Sequence, residues 1–121
     1  MLKGLLLVGT GGMIGSMLRY LVALLVRPGA FPLATFTVNL AGCFLIGLLM
    51  GFALRDGAQT GNWRLFLATG LCGGFTTFSA FSLECVQMIA QQRYGAMLGY
   101  IAVSIVLGLA ATFAGIQLSR I

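Results

Sequence analysis

Gly70-Leu-Cys-Gly-Gly-Phe-Thr-Thr-Phe-Ser-Ala-Phe81 sets a glycine pair, a threonine pair and two phenylalanines at helical spacing inside a run otherwise apolar enough to cross a bilayer. A spanning helix tolerates such helix-weakening residues only where protein or a water-filled cavity satisfies the freed backbone groups, because each unsatisfied group costs several kcal/mol in hydrocarbon. The stretch predicts a helix broken mid-membrane that lines an ion path.

Working outward, the rest of the chain has the same solvent. Of its 121 residues, 60% are hydrophobic and 7% charged, with a mean hydropathy of +1.05. That is more apolar surface than a soluble domain of this size can bury. A spanning helix needs about 20 apolar residues, and four runs meet that length, at about 4–26, 33–54, 64–91 and 96–118. The expected fold is therefore an all-α membrane protein, one four-helix transmembrane domain with nothing left over for a soluble module. The third run exceeds a straight span by about eight residues, which fits an interruption at Gly73-Gly74 and Thr76-Thr77. The apolar run after Met1-Leu-Lys3 continues to about Val26 without a small-x-small cleavage site, so it reads as the first span and not as a signal peptide.

Cys43, Cys72 and Cys85 are odd in number and all fall inside spans, which argues against a disulfide framework. With no His and no metal-site spacing of the Cys, zinc and haem centres are unsupported. The net charge of +5 comes from dispersed residues near helix ends, an anchoring pattern and not a nucleic-acid footprint. Lys3, Arg55, Arg64 and Arg120 fall on one side and Arg27 and Arg93 on the other. Four against two, or four against three if Arg19 snorkels to the latter side, sets orientation only weakly under the positive-inside rule, so insertion both ways, and an antiparallel homodimer, is permitted alongside a weak preference for one orientation.

Small residues recur at the spacing that lets membrane helices approach closely, at Gly11/Gly15, Gly47/Gly51, Gly70/Gly74 and Gly95/Gly99. Pro28-Gly29 breaks the chain after the first span and Pro32 suits the first turn of the second. The polar segment 56–62 forms the second connection, with Trp63 as an interfacial anchor, and 91–95 forms a short third one.

Four groups of residues could carry chemistry. Unwinding around Gly73 to Thr77 frees carbonyl oxygens, and oxygen-only ligands without a carboxylate suit a monovalent hard cation such as Na⁺; a simple glycine kink is the competing reading. Phe78 and Phe81, three apart, turn ring edges to one side, where the positive edge of the quadrupole can face an anion, or serve as ordinary packing. Asn39, with Thr35 one turn earlier, offers an amide donor to an anion or to another helix. Tyr100 and Ser104 repeat the i, i+4 spacing and would turn two hydroxyls to one side, unless Ser104 bonds back to its own helix. Arg19 and Glu84 are the intramembrane charges, expected in a vestibule or structural role, with a mutual pair as one option.

Gly12-Met-Ile-Gly-Ser-Met-Leu-Arg19-Tyr20, the segment from Thr35 through Asn39 to Gly47, and the Gly70–Phe81 stretch together resemble the Fluc (CrcB) family of bacterial fluoride channels over all four spans. The resemblance implies a multi-pass protein of the bacterial cell (inner) membrane. It implies a dual-topology homodimer with two antiparallel fluoride pores and one structural Na⁺ at the dimer centre. It puts Phe78 and Phe81 on an aromatic fluoride track, Asn39 in the pore as a donor, and the carbonyls of Gly73 and Thr76 on Na⁺. Tyr100 and Ser104 then match a hydroxyl track on the fourth span, with Arg19 and Glu84 at the family's arginine and acid. Gly108, one turn beyond Ser104, departs from a continuous hydroxyl track.

No nucleotide motif, metalloprotease motif or paired carboxylate is present, so an enzyme or an active pump is not supported. Two rival readings differ in class. A small proton-coupled multidrug exporter needs a carboxylate deep in the membrane, and Glu84 lies near a helix end. A non-transporting membrane subunit would have no need of Asn39 or the threonine pair.

Overall fold

The computed structural model describes residues 1–56 and 61–121, residue 56 by its backbone alone; most of the polar connection read at 56–62 lies outside the described residues. Four helical segments are long and apolar enough to cross a membrane: Leu2–Leu25, Leu33–Arg55, Asn62–Ala90 and Tyr94–Ser119. We name α1 Leu2–Leu25, α2 Leu33–Asp56, α3 residues 62–75, α4 Phe78–Ala90 and α5 Tyr94–Ser119. The third segment thus comprises two helices in line, and within α3 the turns of Leu65–Cys72 widen into a π-helix.

Packing follows the glycines. α1 lies along α3 because Gly11 and Gly15 leave no side chain between the backbones: a Cβ on Gly11 would meet the Phe66 carbonyl and one on Gly15 the Leu71 carbonyl. From the other side Gly74 presses on the backbone of Gly12. α2 pairs with α5 in the same way, Gly47 against the Thr112 carbonyl and Gly115 against the Phe44 carbonyl. Lipid tails are as apolar as leucine, so close backbone approach and van der Waals contact supply the association that the hydrophobic effect supplies in water. A Cβ on Gly95 or Gly99, by contrast, would meet nothing within 4 Å among the described residues.

Two arginines tie the ends. Arg93, after α4, donates from Nη2 to the Ala30 carbonyl at 2.8 Å, joining the first and third connections. Arg55 donates from Nη1 to the Ser119 carbonyl at 3.3 Å, joining the far ends of α2 and α5. α4 rests on α5 through Cys85, Met88 and Tyr100, with Phe36 and Phe81 packed around them. Most other large apolar side chains point outward, as a fold solvated by lipid requires.

Candidate functional site

Between α3 and α4 the helical backbone stops. Thr76 (φ −85°, ψ 157°) and Thr77 (φ −151°, ψ 115°) are extended, and the helix resumes at Phe78. The Gly-Gly and Thr-Thr pairs make this affordable: glycine weakens the helix before the break, and the β-branched threonines favour extended backbone after it. Thr77 then caps α4, its Oγ1 accepting from the Ala80 N–H at 3.1 Å.

Three of the backbone groups freed by the break find partners in other helices. The Thr77 N–H donates to Asn39 Oδ1 at 2.7 Å, and Asn39 Nδ2 donates to the Thr77 carbonyl at 3.1 Å. Asn39 thereby pairs with one extended residue as a neighbouring strand would. Arg19 Nε donates to the Gly74 carbonyl at 3.1 Å, placing a cation at the C-terminal end of α3, where the helix dipole favours it. The Cys72 carbonyl accepts both the Thr76 N–H at 3.0 Å and the Thr76 hydroxyl at 2.9 Å. The carbonyls of Gly73, Phe75 and Thr76 accept none of these bonds. Gly42 makes room for the break: a Cβ there would run into Thr76 Cγ2.

A groove of about 460 Å³ opens beside the break, lined by Asn39, Gly73, Thr76, Thr77, Phe78, Phe81 and Ser104 among others. Phe78 is 79% exposed on its flank. From there aromatic rings run in series. Phe78 and Phe81 have centroids 5.8 Å apart and tilted by 41°. Phe81 and Tyr100 follow at 4.9 Å, then Tyr100 and Phe31 at 5.2 Å, edge to face.

At the end of this series stands Glu84. Its Oε2 accepts the Thr35 hydroxyl at 2.7 Å and its Oε1 the Tyr100 hydroxyl at 2.9 Å. Thr35 and Tyr100 are both buried. Arg19 therefore bonds at the end of α3 and Glu84 midway along α4, each with its own partners, and the pairing considered for them is not formed. Ser104 lines the groove, while Gly108 sits inward against Cys43 Sγ, so the turn after Ser104 packs on α2 and does not extend a row of hydroxyls. Among the described residues no cluster of three or more His, Cys, Asp or Glu forms a metal site.

Sequence reading offered a bond from Asn39 to another helix as one of two uses but not its partner Thr77, and it missed the Arg19 contact with Gly74 and the capture of Glu84 by two hydroxyls. The signal in the sequence was general: Arg19, Thr35, Asn39 and Glu84 are polar residues inside apolar runs, and each had to find a partner.

Residues 6–116 match the family described as "CrcB-like protein, Camphor Resistance (CrcB)". The chain belongs to the CrcB family. Its similarity to other CrcB members runs nearly end to end. It is 48% identical to the "Fluoride-specific ion channel FluC" of Azobacteroides pseudotrichonymphae, covering 99% of this chain and 98% of that one. It is 49% identical to the protein of the same name from Caulobacter sp. strain K31, over 96% and 94%. It is 42% identical to that of Flavobacterium psychrophilum, over 98% of both. In CrcB terms the break, with Arg19, Asn39 and Thr77 around it, is built from the three segments that carried the resemblance.

Proposed function

We propose that this chain is a passive, fluoride-selective channel of the bacterial inner membrane, a transporter and not an enzyme. The observation that carries the reading is the continuous series from the Asn39–Thr77 break along Phe78, Phe81 and Tyr100 to Glu84, with Ser104 on the groove wall. The names of the relatives supply the ion. Fluoride is small and strongly hydrated, so a path must replace its water with close donors. Asn39 spends one amide hydrogen on Thr77 and keeps the second; the hydroxyls and the positive ring edges add partners without a fixed charge that would hold the ion. Chloride, being larger, fits such a path poorly. An inside-negative potential, worth about 2.3 kcal/mol per charge per 100 mV, drives fluoride outward without coupling to another solute.

One copy leaves the groove open along Phe78, and we infer that a second copy, inserted in the opposite orientation, supplies the other wall of each of two pores. The weak charge difference between the two sides supports dual insertion. The break lies at mid-membrane depth in this reading. A structural Na⁺ fits the carbonyls of Gly73 and Thr76, which are uncommitted oxygens, and Gly73 has nothing within 4 Å of where a Cβ would be. Bound there, such an ion would be held by the carbonyls of Gly73 and Thr76 and would supply a fixed positive charge. If so, replacing sodium with N-methylglucamine loosens the dimer on a sizing column.

Expression in a bacterium made fluoride-sensitive by loss of its own exporter tests the function. Restored growth in fluoride, with cell chloride unchanged, is the expected result; no rescue by protein shown to be in the membrane overturns the reading.

A further inference from the structure

Two of the cysteines line one groove. The groove beside the break takes Cys43 from α2 and Cys72 from α3 into its walls, together with Asn39, Gly42, Thr76 and Thr77. Two contacts fix how those walls face each other. Asn39 bonds to Thr77, and a Cβ on Gly42 would run into Thr76 Cγ2. Later residues of α2 therefore meet earlier residues of α3, and the two helices run antiparallel. Cys43 follows Gly42 directly, and Cys72 precedes Thr76 by about one helical turn. The two thiols thus come from opposite walls, both close to the level of the Gly42–Thr76 contact.

The groove lining holds no Asp, Glu, His, Lys or Arg. Its strongest metal ligands are the two thiols, Cys72 buried and Cys43 half-buried. Thiolate sulfur is a soft ligand and selects soft ions. Zinc fails on number: a structural zinc site takes four ligands, and among the described residues no third His, Cys, Asp or Glu joins the pair. Charge narrows the choice further. A singly charged soft ion on two thiolates leaves a net negative charge against apolar walls, which burial penalises. A doubly charged ion on two thiolates is neutral. Hg²⁺ is soft, doubly charged and satisfied by two sulfurs in line.

We propose that Cys43 and Cys72 form a two-thiol site for a soft divalent ion in the groove wall, with Hg²⁺ as its fitting occupant. On binding, two S–H bonds break and two Hg–S bonds form; the two protons leave to water along the open side of the groove, and nothing is oxidised or reduced. The flank at Phe78, which is exposed, gives the ion its way in. Cys85 is outside the site, since it packs with Met88 and Tyr100 between α4 and α5 and does not line the groove. The binding goes beyond the fluoride-channel reading, and one consequence rests on it: an ion held there obstructs the groove that serves as the path, so Hg²⁺ blocks efflux and a dithiol restores it.

The test uses the full chain in detergent and Hg²⁺ itself, comparing wild type with Cys43→Ala, Cys72→Ala and Cys85→Ala. Proton release is followed first in weakly buffered solution, and retention of the ion is then measured in an excess of 2-mercaptoethanol. Two thiols on one scaffold act as a chelate and outlast a competing monothiol, whereas a single thiol does not. Wild type and Cys85→Ala are expected to release two protons per ion, to show a thiolate-to-mercury absorption band in the near ultraviolet, and to retain one ion per chain. Cys43→Ala and Cys72→Ala are expected to hold it about a hundredfold more weakly or worse. Full retention by either of these, or its loss in Cys85→Ala, overturns the inference. So does a mercury-bridged dimer on a non-reducing gel, because it puts the two sulfurs on different copies. If Cys72→Ala does not fold, Cys43→Ala, which alters the half-buried member, decides alone. In liposomes Hg²⁺ is expected to cut wild-type fluoride efflux about tenfold or more; undiminished efflux with the ion bound overturns the block. A wild type that releases no fluoride before Hg²⁺ is added is the separate failure of the channel reading, and the retention assay, which needs no flux, still decides the thiol site.

Discussion

Asn39 closes both ends of its amide on the backbone of a single residue, accepting the Thr77 N–H at 2.7 Å and donating to the Thr77 carbonyl at 3.1 Å. The break in the third segment is thus held by a side chain from the second, so its shape depends on one residue.

Asn39→Asp keeps the acceptor for the Thr77 N–H but sets a carboxylate oxygen against the Thr77 carbonyl. Leaving such a buried group unsatisfied costs about 1–3 kcal/mol, and the new charge repels an anion. Fluoride efflux is expected to fall about tenfold or more while the protein still elutes as a discrete species. Wild-type efflux from this variant would remove Asn39 from the path.

Gly42→Ala is expected to destabilise by about 1–3 kcal/mol, as overpacking does, because its methyl meets Thr76 Cγ2. Thr76→Ser removes that methyl and keeps the hydroxyl bonded to the Cys72 carbonyl. Thermal unfolding in detergent should show the double variant recovering most of the loss, and equal losses in single and double variants would locate the clash elsewhere.

Gly47→Ala and Gly99→Ala separate close packing from helix preference. The first drives a methyl into the Thr112 carbonyl, where backbone cannot yield; the second meets nothing within 4 Å among the described residues. Expected are a lowered melting temperature and poor recovery for Gly47→Ala, and for Gly99→Ala a stability equal to wild type or higher by up to about 1 kcal/mol, the helix preference of alanine over glycine.

Much of this was legible because the bilayer imposes harsh rules. Four apolar runs become four spans, with ends within a few residues of those expected, since hydrocarbon leaves a helix no alternative but to cross. Gly73-Gly74 and Thr76-Thr77 marked where the helix would stop because those residue types oppose it for local reasons. The π-helical turns of Leu65–Cys72 left no trace in the sequence; they lie where Gly11 and Gly15 bring α1 close to the backbone. The glycine spacings foretold close approach but not the partner: Gly95 and Gly99 have the same pattern as Gly47 and Gly51, yet a Cβ on either would meet nothing within 4 Å among the described residues. Partners of the polar residues were out of reach for the same reason. Arg19 finds the Gly74 carbonyl, 55 residues on, only once α1 lies along α3.

Phe81→Ile keeps an apolar side chain of similar bulk and removes the ring between Phe78 and Tyr100. Fluoride efflux is expected to drop about tenfold or more with folding intact, because an aliphatic group offers no positive edge in place of lost water. Flux equal to wild type would exclude the aromatic series from conduction.

The most direct measurement is efflux from liposomes carrying the purified wild-type chain, loaded with potassium fluoride or potassium chloride, started with a potassium ionophore and followed with ion-selective electrodes. Rapid release of fluoride with chloride retained is the predicted result. Retention of both ions by folded protein, or release of chloride as fast as fluoride, would contradict a fluoride-selective channel.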